Sequence, residues 1–291
     1  MKSLKSFLAI AALTAFLIDL DGQISTPGTG LTASAVIGMI IEKTGAPVIP
    51  NTVDVIKEGN PETKITGIVT TMFASMPVLK KAVEMNCNMI IVHEPLYYNH
   101  ADQTSQFMND PVFLEKQKYI RDHKLVIWRF HDYIHSTRPD GILTGMVSKL
   151  GWKAYVVNDK LDEFSLPETT LENILKNLKK VFPGNAFYVI GDPRMKVRKV
   201  RLAPGAPGSS THIRILGQTD TEVLIAGEVP QWETYEYMRD AFDQGRKKAV
   251  IFIGHVNSEE AGMEHCADWL KGFIRDIPVS FVGSGPSYWT Y

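Results

Sequence analysis

Three places in this chain set imidazole beside carboxylate at spacings that suit metal-ion chemistry. The first is His93-Glu94-Pro95-Leu96-Tyr97, where the two ligand-type side chains are adjacent and Pro95 restrains the turn. The second is His131-Asp132-Tyr133-Ile134-His135, whose two histidines would share a face if the segment turns helical. The third is His255-Val256-Asn257-Ser258-Glu259. There Ser258 reads as a helix N-cap and Glu259 as a first-turn residue. Glu260 is then expected to point about 100° away around the helix. Imidazoles mixed with carboxylates suit zinc, manganese or iron, whereas calcium and magnesium want mostly oxygen. His93, Glu94, His135, His255 and Glu259 exceed the three or four protein ligands of a usual catalytic zinc. The surplus points to two metals, which at about 3.5–4 Å separation can jointly activate water and stabilise a leaving oxygen. Each segment also has an ordinary reading. Glu94 suits a solvated surface turn, a lone histidine is more often structural, and the helix dipole alone favours a glutamate at position 259.

Each of these segments follows a short run rich in β-branched and aromatic residues. Residues 88–92 end at His93, 125–130 at His131 and 249–254 at His255; runs 186–190 and 223–225 read as further strands. Helical patterns cover 32–44, 76–84, 111–122, 171–181, 232–243 and 260–273. This alternation predicts an α/β fold with helix-covered sheets. In such sheets ligands gather beyond the carboxyl ends of the strands, which is where the three histidines fall.

Composition narrows the classes of partner. Hydrophobic residues at 44% and charged residues at 22% describe a folded globular chain rather than a disordered one. With 31 basic and 32 acidic residues spread along the sequence, there is no phosphate-binding track for nucleic acid. Cys87 and Cys266 are too few for a disulfide framework or a four-thiolate zinc site, and their apolar neighbours make them core residues.

The amino terminus reads as a signal peptide. Lys2 and Lys5 precede an apolar run over residues 7–18, shorter than the roughly 20 residues of a membrane span. A buried N-terminal helix is the alternative. Residues 1–27 are accordingly assigned to signal and linker, and 28–291 to one α/β domain. The expected location is periplasmic or secreted, with no membrane span left after signal removal.

Residues 65–98, with Ala82, Asn88-Met89-Ile90-Ile91-Val92-His93 and Pro95-Leu96, resemble the first signature of the NIF-three-like dinuclear-metal family, often named GTP cyclohydrolase I type 2. The resemblance continues through residues 131–135, Gly191-Asp192-Pro193, Lys199-Val200, residues 205–210, Gly227-Glu228, and Gly254-His255 with Glu259. It spans roughly residues 32–291. It implies two related α/β lobes without an inserted domain, two divalent metals in the cleft between them, and homo-oligomeric rings built from dimers. The family's ligands would fall on His93, Glu94, His135, His255 and Glu259, with His131 and Asp132 behind them. Glu94 stands where a second consecutive histidine is common, and His135 where an aspartate is common. The exchange is roughly charge-conserving.

The leading expectation is a metal-dependent hydrolase of a small molecule, with Glu94 or Glu259 assisting proton transfer. The alternative is a non-catalytic metal-binding or assembly protein of the same fold. A third reading is a chain that has lost one metal through the exchanges at 94 and 135. The family name would make GTP the substrate, but export argues against a cytosolic nucleotide, and no GxxxxGK(S/T) phosphate loop is present. The Gly/Pro/Ser-rich stretch 204–210 is either an anion-binding loop or a plain connection.

Overall fold

The computed structural model describes residues 30–285 and 288–289. The expected signal and linker, residues 1–27, lie outside the described residues. In the first half the chain runs α1 (Ala33–Thr44), β1 (Ile56–Glu58), β2 (Ile68–Thr71), α2 (Met76–Glu84), β3 (Met89–Val92), α3 (Pro111–Asp122), β4 (Val126–Arg129), α4 (Asp132–Ser136) and α5 (Gly141–Leu150). It continues with β5 (Val156–Val157), β6 (Lys160–Thr170), α6 (Leu171–Val181), β7 (Tyr188–Ile190), β8 (Lys196–Ala203), α7 (Ser209–Leu216), β9 (Val223–Ala226), α8 (Thr234–Asp243), β10 (Ala249–Phe252), α9 (His255–Lys271) and β11 (Val279–Phe281).

Among the described residues the strands form two sheets, in the orders β1-β4-β3-β2-β11 and β5-β6-β8-β9-β10-β7. The fold is therefore mixed α/β with two helix-covered sheets, as expected. Most strands are parallel in the first sheet, β4, β3, β2 and the edge strand β11, and β8, β9 and β10 are parallel in the second. Parallel strands need cover on both faces, so they read as continuous apolar runs. Ile68-Val69, Met89-Ile90-Ile91-Val92 and Val223-Leu224-Ile225-Ala226 are buried throughout. Alternate residues feed opposite cores. Met89 and Ile91 join the cluster under α1 and α9, whereas Ile90 and Val92 join the one holding Val78, Leu79 and Phe113. The second sheet divides its residues likewise, with Ile225 and Ile251 on one side and Leu224 and Val250 on the other.

Local chemistry fixes the helix starts. Asp110 caps α3 by accepting from Val112 N and Phe113 N, with Pro111 in the first turn. One expectation is corrected here. Helix α9 begins at His255, not near Glu260, and Ser258 is not its N-cap. Gly254, at φ +90°, lets β10 turn directly into the helix, a backbone state unfavourable for residues with a Cβ. Ser258 then lies inside α9, donating to His255 O at 2.7 Å and accepting from Gly205 N at 2.9 Å. Cys87 and Cys266 are free and buried. Among the described residues no helix is long and apolar enough to cross a membrane.

Candidate metal centre

His93 and Glu94 leave β3 still paired to the neighbouring strand, their amides donating to Thr71 O at 3.1 Å and Met72 O at 3.0 Å. This fixes both side chains at the carboxyl end of the first sheet. His131 is the N-cap of α4 and His135 lies within it, a single turn of helix that starts soon after β4 ends at Arg129. Its opening amides are held by a distant side chain: Asp54 accepts from His131 N, Asp132 N and Tyr133 N at 2.8–2.9 Å. From the second sheet, His255 and Glu259 lie one helical turn apart and their side chains meet at 3.0 Å. Glu259 is seated against Gly205, where a Cβ would stand 2.4 Å from Oε1. At φ +65° that position suits glycine on backbone grounds as well.

The four imidazoles share one arrangement. His93 Nδ1 lies 3.2 Å from Phe130 O; a carbonyl only accepts, so this nitrogen carries a proton, and in the neutral ring Nε2 is the nitrogen with the lone pair. His131 Nδ1 meets Asp132 Oδ1 at 2.9 Å, His135 Nδ1 meets Asp140 Oδ2 at 3.0 Å, and His255 Nδ1 meets Glu228 Oε1 at 3.0 Å. Oxygen acceptors on the outer nitrogens orient imidazoles toward a metal and raise their basicity. On the inner side, His93 Nε2 is buried without a hydrogen-bond partner, 3.5 Å from Glu259 Oε2. His255 Nε2 reaches Glu94 Oε1 at 3.2 Å and Glu259 Oε2 at 3.0 Å, and His131 Nε2 stands 3.8 Å from Glu94 Oε1. Two groups, His93/His131/His135 and His93/Glu94/Glu259, each bring their ligand-type atoms within 4.8 Å of one another. They share His93.

Glu94 and Glu259 are 7% and 4% exposed, and buried carboxylates are costly unless paired. Burial opposes their ionisation, yet hydrogen bonds from His255 hold both below the usual carboxylate range. Burial likewise works against a charged His255, but Glu228, Glu259 and Glu94 outweigh it and lift its pKa to about 12. Burial and the neighbouring His93 push His131 down to about 4, so it is neutral at pH 7. His255 Nε2 thus lies between the two carboxylates, and the three residues would together hold a divalent ion. Beneath Glu94 the fully buried Arg129 supplies fixed charge, with Nη2 3.4 Å from Oε2 and Nε donating to His93 O at 3.1 Å.

All five expected ligand residues therefore lie in one cluster. Asp132 stands outside it, with Oδ2 accepting from Thr52 Oγ1 and Val53 N, while His131 faces inward beside His93, their rings stacked at 4.7 Å. Arg129, Asp140 and Asp54 escape a reading based on residue spacing. Asp140 has a local signal, since it also caps α5 through Ile142 N and Leu143 N. Asp54 acts 77 positions away and has none. Asp54→Asn replaces one accepting oxygen by an amide facing a backbone N–H. It is expected to cost about 1–2 kcal/mol of stability, and to weaken metal binding about tenfold by loosening the turn. Unchanged thermal midpoint and metal affinity would remove Asp54 from the support of the site.

A cleft of about 510 Å³ opens over the cluster, walled by Glu94, His135 and His255 at the base and by Leu143, Arg214 and Ile215 above. The 204–210 stretch borders it, but Gly205 N is already bound to Ser258 and Gly205 O accepts from Glu228 N. At Gly205, the loop serves to seat Glu259.

A family model described as Duf34/NIF3 (NGG1p interacting factor 3) matches residues 53–284. A Clostridium acetobutylicum protein named GTP cyclohydrolase 1 type 2 homolog is 22% identical over 233 residues, 76% of this chain and 82% of that protein. NGG1-interacting factor 3 of Saccharomyces cerevisiae is 24% identical over 234 residues, 72% and 76% of the two chains. The crystal structure of a Bacillus cereus protein related to NIF3 superposes with a TM-score of 0.70 at 11% identity, covering 89% of this chain and 99% of that one, which shows a common fold.

Proposed function

The chain belongs to the Duf34/NIF3 family, and from that premise we propose that it is a metal-dependent hydrolase acting on a small molecule, with two divalent ions held by His93, Glu94, His131, His135, His255 and Glu259. The observation that carries this reading is the common orientation of the imidazoles: each outer nitrogen is on an oxygen of this chain, and the inner Nε2 of His93 is buried without a partner. Such a donor set fits zinc, manganese or iron. Six donor residues are more than one ion takes, so the set suits a pair of ions, with Nε2 of His93 serving one of them.

When bound, the metals supply Lewis acidity toward water and toward an oxygen of the substrate. The chain's own residues do the rest. Glu94 or Glu259 assists proton transfer through a carboxylate oxygen, Glu94 Oε1 and Glu259 Oε2 both lying beside His255 Nε2. Arg129 holds Glu94 in place from below, and Asp132, Asp140 and Glu228 hold the imidazoles at fixed angles. Leu143 and Ile215 give the cleft apolar walls that displace water from a bound molecule. The protein works as a homo-oligomer outside the cytoplasm, on the strength of its family likeness and the signal-like segment over residues 7–18.

The test is elemental analysis, intact mass and size of native protein, followed by assay against simple esters, phosphodiesters and amides. The expected result is close to two metals per chain, turnover of at least one substrate, an oligomer, and a mature chain shorter by about 20–30 residues. Protein that takes up no metal sinks the reading. Full metal with no turnover favours a non-catalytic metal carrier, and an intact Met1 in the cytoplasm rejects export.

A further inference from the structure

Glu260, one position past Glu259, turns away from the imidazole cluster, as its place on the helix predicts. It is not idle. Its Oε1 accepts three hydrogen bonds from the carboxyl-terminal segment: Ser284 N at 2.6 Å, Ser284 Oγ at 2.9 Å and Gly285 N at 3.0 Å. Two of the donors are backbone amides, so the carboxylate grips the chain itself. Just before it, Val282 N donates to Thr70 O at 3.0 Å and prolongs the pairing of β11 with β2. The segment is thus fixed to the first sheet and to α9 within four residues.

Tyr288 lies at the start of α9. Its hydroxyl stands 3.2 Å from where a Cβ on Gly254 would be, beside His255. With Phe73, Glu228, Gly254, His255 and Asn257 it encloses a hollow of about 170 Å³. This hollow is separate from the main cleft, and His255 is the residue that lines both. The Phe73 ring meets the His255 ring edge-on at 6.2 Å. The lining is thus aromatic on two sides, with a carboxylate and a hydroxyl between them.

We propose that this hollow is a second, narrow approach to His255, admitting water and neutral molecules of a few heavy atoms, with Tyr288 as its wall and Glu260 as the positioning residue that holds the wall. Glu228 disfavours anions there, so anionic molecules use the main cleft. Only the identity of what lies at the inner end, a metal, rests on the function proposed above.

The experiment compares Glu260→Ala, Tyr288→Ala and Tyr288→Phe with the native chain. Hydroxyl-radical footprinting reads the exposure of Phe73 and His255 whether or not metal is present, and amide hydrogen exchange reads Ser284 and Gly285. Glu260→Ala should speed exchange at both amides about tenfold or more, because a charged acceptor is lost. Oxidation of Phe73 and His255 should rise by roughly threefold in Glu260→Ala and Tyr288→Ala, since the wall is released or removed. Tyr288→Phe keeps the ring and should match the native chain. Unchanged oxidation in Tyr288→Ala overturns the proposal, as does unchanged oxidation in Glu260→Ala once the amides exchange freely. If the native protein takes up no metal, the hydrolase reading fails, and footprinting alone still decides the hollow.

Discussion

His93→Ala is expected to leave a folded protein that has lost its bound metal. His93 is fully buried and, among the described residues, is the one common to both ligand-capable groups. Changing a residue behind a metal ligand commonly weakens binding by 10–100-fold, and removal of the ligand itself should exceed about 100-fold. The substitution also leaves Phe130 O without its imidazole partner, an unpaired buried group that costs about 1–3 kcal/mol. The thermal midpoint should therefore fall modestly while metal content collapses. His255→Ala should likewise lower metal content and hydrolysis together, because His255 bridges Glu94 and Glu259. Stoichiometry by elemental analysis, with circular dichroism to confirm folding, decides the matter. Full metal content in folded His93→Ala would dissolve the case for this centre.

Gly145→Val should be among the most destabilising single changes in the chain. Where α5 crosses α9, a Cβ on Gly145 would stand 2.2 Å from Ala261 O and 2.6 Å from Gly262 Cα. Gly262 faces the same problem in reverse, with its missing Cβ 2.5 Å from Ile142 Cα. Backbone cannot yield as a flexible side chain can, so the helices must separate. Overpacking of this kind should cost about 3–4 kcal/mol, above its usual range of about 1–3 because backbone stands in the way. At about 2–4 °C per kcal/mol for a domain of this size, the midpoint should fall by about 6–16 °C. The same separation moves α9, with His255 and Glu259, away from His93 and Glu94, so metal affinity should fall too. Gly38→Ala is the control. Gly38 lies within α1 with open space beyond its Cα, and alanine there should be neutral or stabilise by up to about 1 kcal/mol. Equal midpoints for Gly145→Val and Gly38→Ala would mean that the crossing is not tight.

Much of this architecture is written locally. The ranges 76–84, 111–122 and 171–181, read from apolar spacing, coincide with α2, α3 and α6. Strands β3, β4, β9 and β10 lie within or within one residue of the runs that suggested them. Strands β6 and β8 did not stand out, because their mixed exposure breaks the apolar run with charges such as Lys196, Arg198 and Lys199. The start of α9 was misplaced because Ser258 resembles a cap. A glycine in the left-handed region opened the helix instead, and its φ is a property of the folded backbone.

Residue types and spacing settled that this chain builds α/β sheets and sets histidines at their carboxyl ends, because strand and helix periodicities and caps act over about ten residues. They also carried the family likeness and the candidates His93, Glu94, His135, His255 and Glu259. The fold settled which atoms face each other. His131 turns its ring inward because Asp132, tied to Thr52 and Val53 some 80 positions earlier, holds its outer nitrogen. His255 is flanked by Glu228, 27 positions away, and Glu260 grips Ser284, 24 positions on. Such partners leave no pattern in neighbouring residues, since their contact depends on how two sheets and a helix crossing are packed. Gly145 and Gly262 set that packing distance, and a glycine in a sequence does not announce the backbone it will touch.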